Sequence, residues 1–146
     1  MGRKSILFCL ISLFIAIWLA SCQSNQITDS QSTPGGTLTP PEEYATMSNP
    51  LSGETQSIAN GEVLYQADCA SCHGVTGQGD GPAGLMLDPE PANLAVAQNN
   101  LSDSYLYWRI SEGGLMEPFN SMMPAWKGIL REDQIWHIIS YLRTLD

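Results

Sequence analysis

The chain has 146 residues, enough for one domain with extensions and too few for two. Its formal net charge is −9, and two of its six basic residues, Arg3 and Lys4, sit at the extreme N-terminus, so the rest of the chain sets four basic residues against 15 acidic ones. A body this acidic repels phosphate, which excludes nucleic acid as a partner and gives no help on an anionic lipid surface; it favours a partner with a positive docking patch.

The first 22 residues read "MGRKSILFCLISLFIAIWLASC". Arg3 and Lys4 form a positive head, and Ile6 to Leu19 is almost wholly apolar. That stretch, about 14 residues or roughly 21 Å as a helix, falls short of the ~30 Å hydrocarbon core, so it reads as a signal peptide and not as a permanent span. Its ending, "LASC", resembles the lipobox of bacterial lipoproteins. The resemblance implies cleavage after residue 21, a lipid chain on the Cys22 thiol, and a domain held on the extracytoplasmic (periplasmic) side of a bacterial cell membrane. Two or three acyl chains make a durable anchor, since each buried CH₂ contributes about 0.8 kcal/mol. Cys9 leaves with the signal peptide and Cys22 is taken by lipid, so only Cys69 and Cys72 remain free.

Residues 22–56 form the anchor and a flexible or docking linker. The part from 23 to about 41, "QSNQITDSQSTPGGTLTPP", has no hydrophobic period and cannot build a core, and as a flexible tether it spans roughly 25 Å. In 42–56, Tyr44, Met47 and Leu51 are isolated apolar residues, which leaves open a plain linker and a docking segment that packs on the globular domain or on a neighbouring subunit.

Residues 57–146 are the compact domain, with three helical patterns. In 57–70, Ser57 is placed to cap a helix whose broad face carries Ile58, Gly61, Leu64, Tyr65 and Ala67. A second pattern starts at an N-cap Ser102, presents Tyr105, Leu106, Trp108 and Ile110, and stops at Gly113 and Gly114. In the third, Ile135, Ile138, Ile139, Leu142 and Leu145 keep a helical period, and Glu132 and Asp133 suit its positive N-terminal end. The stretch 74–94 between the first two is loop, rich in Gly and Pro, with one short helical turn expected around 83–87. No strand is predicted, so the fold class is all-α. Three helices and long glycine loops make a thin core, which a large buried apolar cofactor would fill.

The chemistry lies in "CASCH", residues 69–73. A redox dithiol of the thioredoxin kind needs a strand leading into it, and the lead-in here is helical. A structural zinc site needs four ligands, and the chain offers only Cys69, Cys72, His73 and His137, with His73 too close to its neighbours to close a clasp. C-x-x-C-H is the signature of covalent c-type haem attachment, in which the two thiols add to the haem vinyl groups and the histidine binds iron.

With "CASCH" preceded by a helix carrying Gly61 and Tyr65, followed by a Gly/Pro loop, by "MMPAW" and by a closing helix with "IISYLR", residues 57–146 resemble a class I monohaem cytochrome c. The resemblance implies one covalently bound haem c held by Cys69 and Cys72, His73 and Met123 as axial iron ligands, and a crossing of the first and last helices near Gly61 and Tyr141. It implies that a proline carbonyl early in the loop takes the His73 Nδ1–H, which points to Pro82 in "GDGP", and that Trp126 lines the haem pocket, with Trp108, Tyr105 and Arg109 near it or near the propionates. Met122, Met116 and His137 are the rival sixth ligands, and Met86 lies in the wrong loop.

A haem iron with both axial positions filled exchanges electrons only, so the chain by itself is an electron carrier and not an enzyme. The lipobox, "MSNPLSGETQSIANGEVLYQADCASCHG" and "GQGDGP" are together similar to the lipid-anchored monohaem cytochrome subunit of alternative complex III, a quinol-oxidising respiratory or photosynthetic assembly. This implies multihaem and iron–sulfur partner subunits, a cytochrome or blue-copper acceptor, and 42–56 as the docking segment. The alternatives are a free shuttle tethered between membrane complexes and, in another class, a haem peroxidase or sensor with an open iron site.

Overall fold

The computed structural model describes residues 39–146; the signal peptide 1–21, Cys22 and most of the tether lie outside the described residues. The described chain is helical: α1 (Glu42–Ala45), α2 (Thr55–Asp68), α3 (Ala70–His73), α4 (Leu94–Ala97) continued by a 3₁₀ turn (Gln98–Asn100), α5 (Asp103–Glu112) and α6 (Glu132–Leu142). Among the described residues there is no strand, only an isolated bridge between Lys127 and Leu130, and no helix is long and apolar enough to cross a membrane.

The core is organised by the crossing of α2 and α6. The isoleucine period of α6 puts Ile135, Ile138, Ile139 and Leu142 on its buried side, all at 3% exposure or less. Gly61 lies at the contact: a Cβ there would run into the His137 carbonyl oxygen and sit 2.9 Å from the Tyr141 Cβ. Glycine lets the two backbones touch, as the Gly61–Tyr141 crossing requires. One turn on, Tyr65 is fully buried, its ring 5.3 Å from that of Tyr141, and its hydroxyl donates to the Gly74 carbonyl at 2.8 Å.

The start of α2 differs from the expectation. The helix begins at Thr55, and Ser57 is not its cap but a buried member of the first turn, its hydroxyl bonded to Ser140 Oγ (3.0 Å) and His137 Nδ1 (2.9 Å). The two α6 residues offer this hydroxyl partners that a cap would not use. Ala67, expected on the inner face, is exposed. In α5 the Ser102 cap is present, its hydroxyl accepting the Tyr105 N–H at 3.1 Å, and Gly113 ends the helix. The 83–87 stretch is a run of hydrogen-bonded turns, not helix, and the helical turns of this loop come later, at 94–100.

Residues 42–56 are packed onto the domain. Tyr44 and Asn49 are buried, and Met47 and Leu51 lie against the core. The Asn49 side-chain amide donates to Ser140 Oγ (2.9 Å) and to the Trp136 carbonyl (3.3 Å). This strap explains the burial of Tyr107 and Trp136, which fall outside the inner faces predicted for α5 and α6: their rings lie 4.3 Å apart beneath it, with Tyr44 6.2 Å from Tyr107. Of the alternatives open for this segment (free linker, packing on its own domain, or docking on a neighbouring subunit), its apolar residues take the second.

The candidate haem pocket

Backbone geometry gathers the motif. Cys69 leaves the α2 conformation, and its carbonyl accepts both the Cys72 N–H (3.1 Å) and the His73 N–H (2.9 Å). One tight turn therefore turns Cys69, Cys72 and His73 to the same side, as i, i+3 and i+4 residues are. They form one wall of a cavity of about 250 Å³. Met122, Met123, Pro124 and Trp126 line it from the loop before α6, Arg109, Phe119 and Ser121 from α5 and the following loop, and Leu87 and Pro89 to Ala92 from the loop after the motif.

Electrostatics distinguish the possible chemistries. Burial, with the nearby charges of Asp68 and Cys72, pushes the Cys69 thiol up to about 12. A reactive dithiol depends on a lowered thiol pKa, and burial here favours the neutral thiol instead. The His73 ring is held by Nδ1–H donating to the Ala92 carbonyl at 3.1 Å. Burial lowers the His73 pKa, partly opposed by that bond. The neutral tautomer so fixed keeps the Nε2 lone pair for a metal.

The carbonyl that orients His73 is a correction to the sequence reading. Pro82 is exposed and does not line the cavity. Its part of the loop is pinned to the back of the motif, where Gly81 N–H donates to the Cys72 carbonyl (3.2 Å) and Ala83 N–H to the Ser71 carbonyl (2.9 Å). The approach is so close that a Cβ at Gly84 would lie 2.6 Å from the Cys72 oxygen. With the chain held there, it is the later "EPAN" segment that passes the imidazole. Nothing in the local sequence singles out Ala92, because any residue supplies a carbonyl.

The methionines separate clearly. Met123 is partly buried against the core, with its carbonyl accepting the Gly114 N–H at 2.9 Å. Met122 also borders the cavity but is 62% exposed, while Met86 is 91% exposed and outside it. Met116 Sδ sits 3.7 Å from the Arg109 guanidinium, and neither it nor His137, bonded to Ser57 on the α2–α6 crossing, lines the cavity. Trp126 lines the cavity; Trp108 does not, and packs edge-on to Phe119 at 5.6 Å and to Tyr105 at 5.5 Å.

Arg109 brings a charge into this apolar space. Its guanidinium lies 3.5 Å from the centre of the Phe119 ring and donates to the Gly113 carbonyl at 2.6 Å. No carboxylate lies within ion-pair distance of it among the described residues, and desolvation lowers its pKa. Two thiols and an imidazole on one wall, a thioether on the loop before α6, aromatic and aliphatic sides, and one cation able to meet carboxylates are the groups a haem with propionates requires.

Comparison with known proteins agrees. The family model "Cytochrome c" matches residues 58–146. The chain is 28% identical over 85 residues to cytochrome c6 of Diacronema lutheri, a match covering 58% of this chain and 92% of that protein. It is 30% identical over 91 residues to cytochrome c-554(547) of Halothiobacillus neapolitanus, covering 60% and 94%. Among solved structures, a chain of the Kuenenia stuttgartiensis reducing HAO-like protein complex shares the fold, at TM-score 0.51 and 24% identity, over 64% of this chain and 45% of that one. Members of the matched family carry covalently attached haem c and transfer electrons, and Cys69 and Cys72 fit their attachment motif; the chain therefore belongs to the cytochrome c family.

Proposed function

We propose that the protein is a membrane-anchored carrier of single electrons, with haem c joined to Cys69 and Cys72 and its iron bound by His73 and Met123. Bound haem c supplies a one-electron iron couple. The observation that carries the reading is the pairing in one cavity of the Ala92-oriented imidazole with the half-buried Met123. His73 would offer Nε2 and Met123 its sulfur, and Trp126 and Phe119, which line the same cavity, would give the group an apolar surround. Arg109 provides positive charge for the propionates. If His73 and Met123 both hold the iron, no position would be left for a substrate, and this favours electron transfer over the peroxidase or sensor alternative.

The test is optical. The ferric protein shows the far-red iron–methionine band and the ferrous protein is slow to bind carbon monoxide. Met123→Ala abolishes the band and opens the iron to carbon monoxide, whereas Met122→Ala leaves both unchanged. Tight carbon monoxide binding by the unaltered protein overturns the Met123 assignment.

Lipidation of Cys22 holds the domain at the extracytoplasmic face of a bacterial membrane, and the protein serves a quinol-oxidising assembly of the alternative complex III type. The "LASC" ending and the similarity of the segment around "CASCH" support this placement. The strap turns its apolar residues to its own domain, so a partner subunit would meet its exposed polar side or another surface, and the tethered shuttle is the second reading. Purification in mild detergent separates the two: multihaem and iron–sulfur subunits travel with a fixed subunit, and a lone monomer identifies the shuttle. Cys22→Ser releases the protein from the membrane fraction if the anchor is lipid.

A further inference from the structure

The strap precedes the family match, which begins at residue 58, yet Tyr44 reaches both ends of the loop that carries Met123. Tyr44 is 8% exposed. Its ring is held over Tyr107, and its hydroxyl donates to the Glu112 carboxylate. The same carboxylate receives Lys127 Nζ at 3.0 Å, and Nζ is 3.5 Å from the Tyr44 oxygen. Glu112 is the last residue of α5, and Lys127 directly follows Trp126. Between them the chain forms the methionine loop. The three side chains thus meet where the loop leaves α5 and where it returns.

The return is otherwise fastened by backbone bonds, among them Gly114 N–H to the Met123 carbonyl (2.9 Å), Trp126 N–H to Ile110 (3.1 Å) and Lys127 N–H to Ser111 (3.0 Å), and by the packing of Met123 and Trp126 against the core. An ion pair as exposed as Glu112–Lys127, whose lysine side chain is 69% exposed, contributes little by itself. Tyr44 changes that, because a buried phenol with little freedom fixes the carboxylate from the covered side. The Tyr44 bond is the first cause, ahead of Lys127, of the lowered Glu112 pKa.

We propose that Tyr44 is a positioning residue for Met123: the strap clamps both stems of the methionine loop and so holds the thioether on the iron. The proposal rests on Met123 as the axial ligand. It gives the segment before the cytochrome domain a role at the redox centre beyond that of a tether.

The test uses the full-length haem-loaded protein and three variants. Tyr44→Phe removes only the hydroxyl. Tyr44→Ala removes the ring as well. Asn49→Ala loosens the strap at α6, away from the loop stems. The far-red band of the ferric protein is followed with temperature beside global unfolding, and carbon monoxide binding is measured on the ferrous protein. Tyr44→Phe is expected to lose the band well below its unfolding midpoint and to bind carbon monoxide about fivefold faster, the equivalent of one ordinary hydrogen bond. Asn49→Ala is expected to lower the unfolding midpoint while band loss still tracks unfolding. A Tyr44→Phe protein whose band loss and carbon monoxide binding match the unaltered protein overturns the clamp, even if Tyr44→Ala fails to fold. A missing band in the unaltered protein overturns Met123 ligation itself, and the clamp with it.

Discussion

At the scale of single residues, the site depends on groups whose environment sets their protonation and direction. His73 is neutral and aimed because burial disfavours its cation and the Ala92 carbonyl takes its Nδ1–H. Glu112 shows the opposite arrangement: hydrogen bonds from Tyr44 and then Lys127 hold its carboxyl below the ordinary carboxylate value. A depressed carboxylate pKa stabilises the fold above the unfolded-state pKa, and that stabilisation is lost as pH falls through the folded value. Glu112→Gln should therefore flatten the fall in stability below about pH 4.5, with little change near neutrality beyond the weak exposed pair, as read from urea midpoints across pH. An unchanged acid slope would show that Glu112 keeps its interactions in the unfolded chain.

At the scale of elements, two contacts decide how the helices meet. Gly61→Ala adds only a methyl, and on an open helix face it would stabilise by about 0.5–1 kcal/mol. At the α2–α6 crossing it meets backbone, so the sign reverses and a loss toward the upper end of about 1–3 kcal/mol is expected in chemical denaturation. The end of α6 is tied to the start of α5 by Arg143, whose guanidinium reaches Asp103 Oδ1 at 2.6 and 2.9 Å, the Leu101 carbonyl at 2.7 Å and the Gln98 carbonyl. Lysine keeps the charge but not the fork, so Arg143→Lys should cost about 1.5–3 kcal/mol in thermal or denaturant unfolding. A cost below about 0.5 kcal/mol would mean that the carbonyls are equally well served by water.

At the scale of the whole molecule, charge governs association. Every basic side chain among the described residues except Arg109 is matched to a carboxylate: Lys127 to Glu112, Arg131 to Asp133 and Arg143 to Asp103. The remaining acidic residues set the outward field. Electron transfer to a partner with a basic docking face should slow by at least about tenfold as ionic strength rises from about 0.01 M to about 1 M, where the screening length shrinks from about 30 to about 3 Å. Stopped-flow kinetics would measure this; a rate indifferent to salt would point to apolar docking instead.

The glycine crossing came from the resemblance to a family, while the sequence by itself determined the all-helical class, the α6 inner face, the Ser102 cap and the haem-attachment motif of residues 69–73. Each of these is local or periodic: a helical repeat, a capping hydroxyl, or ligands within one turn. What only the tertiary structure decided depends on chain brought from afar. Ala92, not Pro82, faces His73 because glycine-backed packing pins the first half of the loop elsewhere, and a backbone carbonyl leaves no mark on residue identity. Ser57 serves the crossing instead of the helix end because Ser140 and His137 lie opposite it. Residues 42–56 read as linker, or as a segment packed on this domain or on a neighbouring subunit, until Tyr107 and Trp136 are seen beneath them, since apolar residues without a period do not specify the surface that covers them.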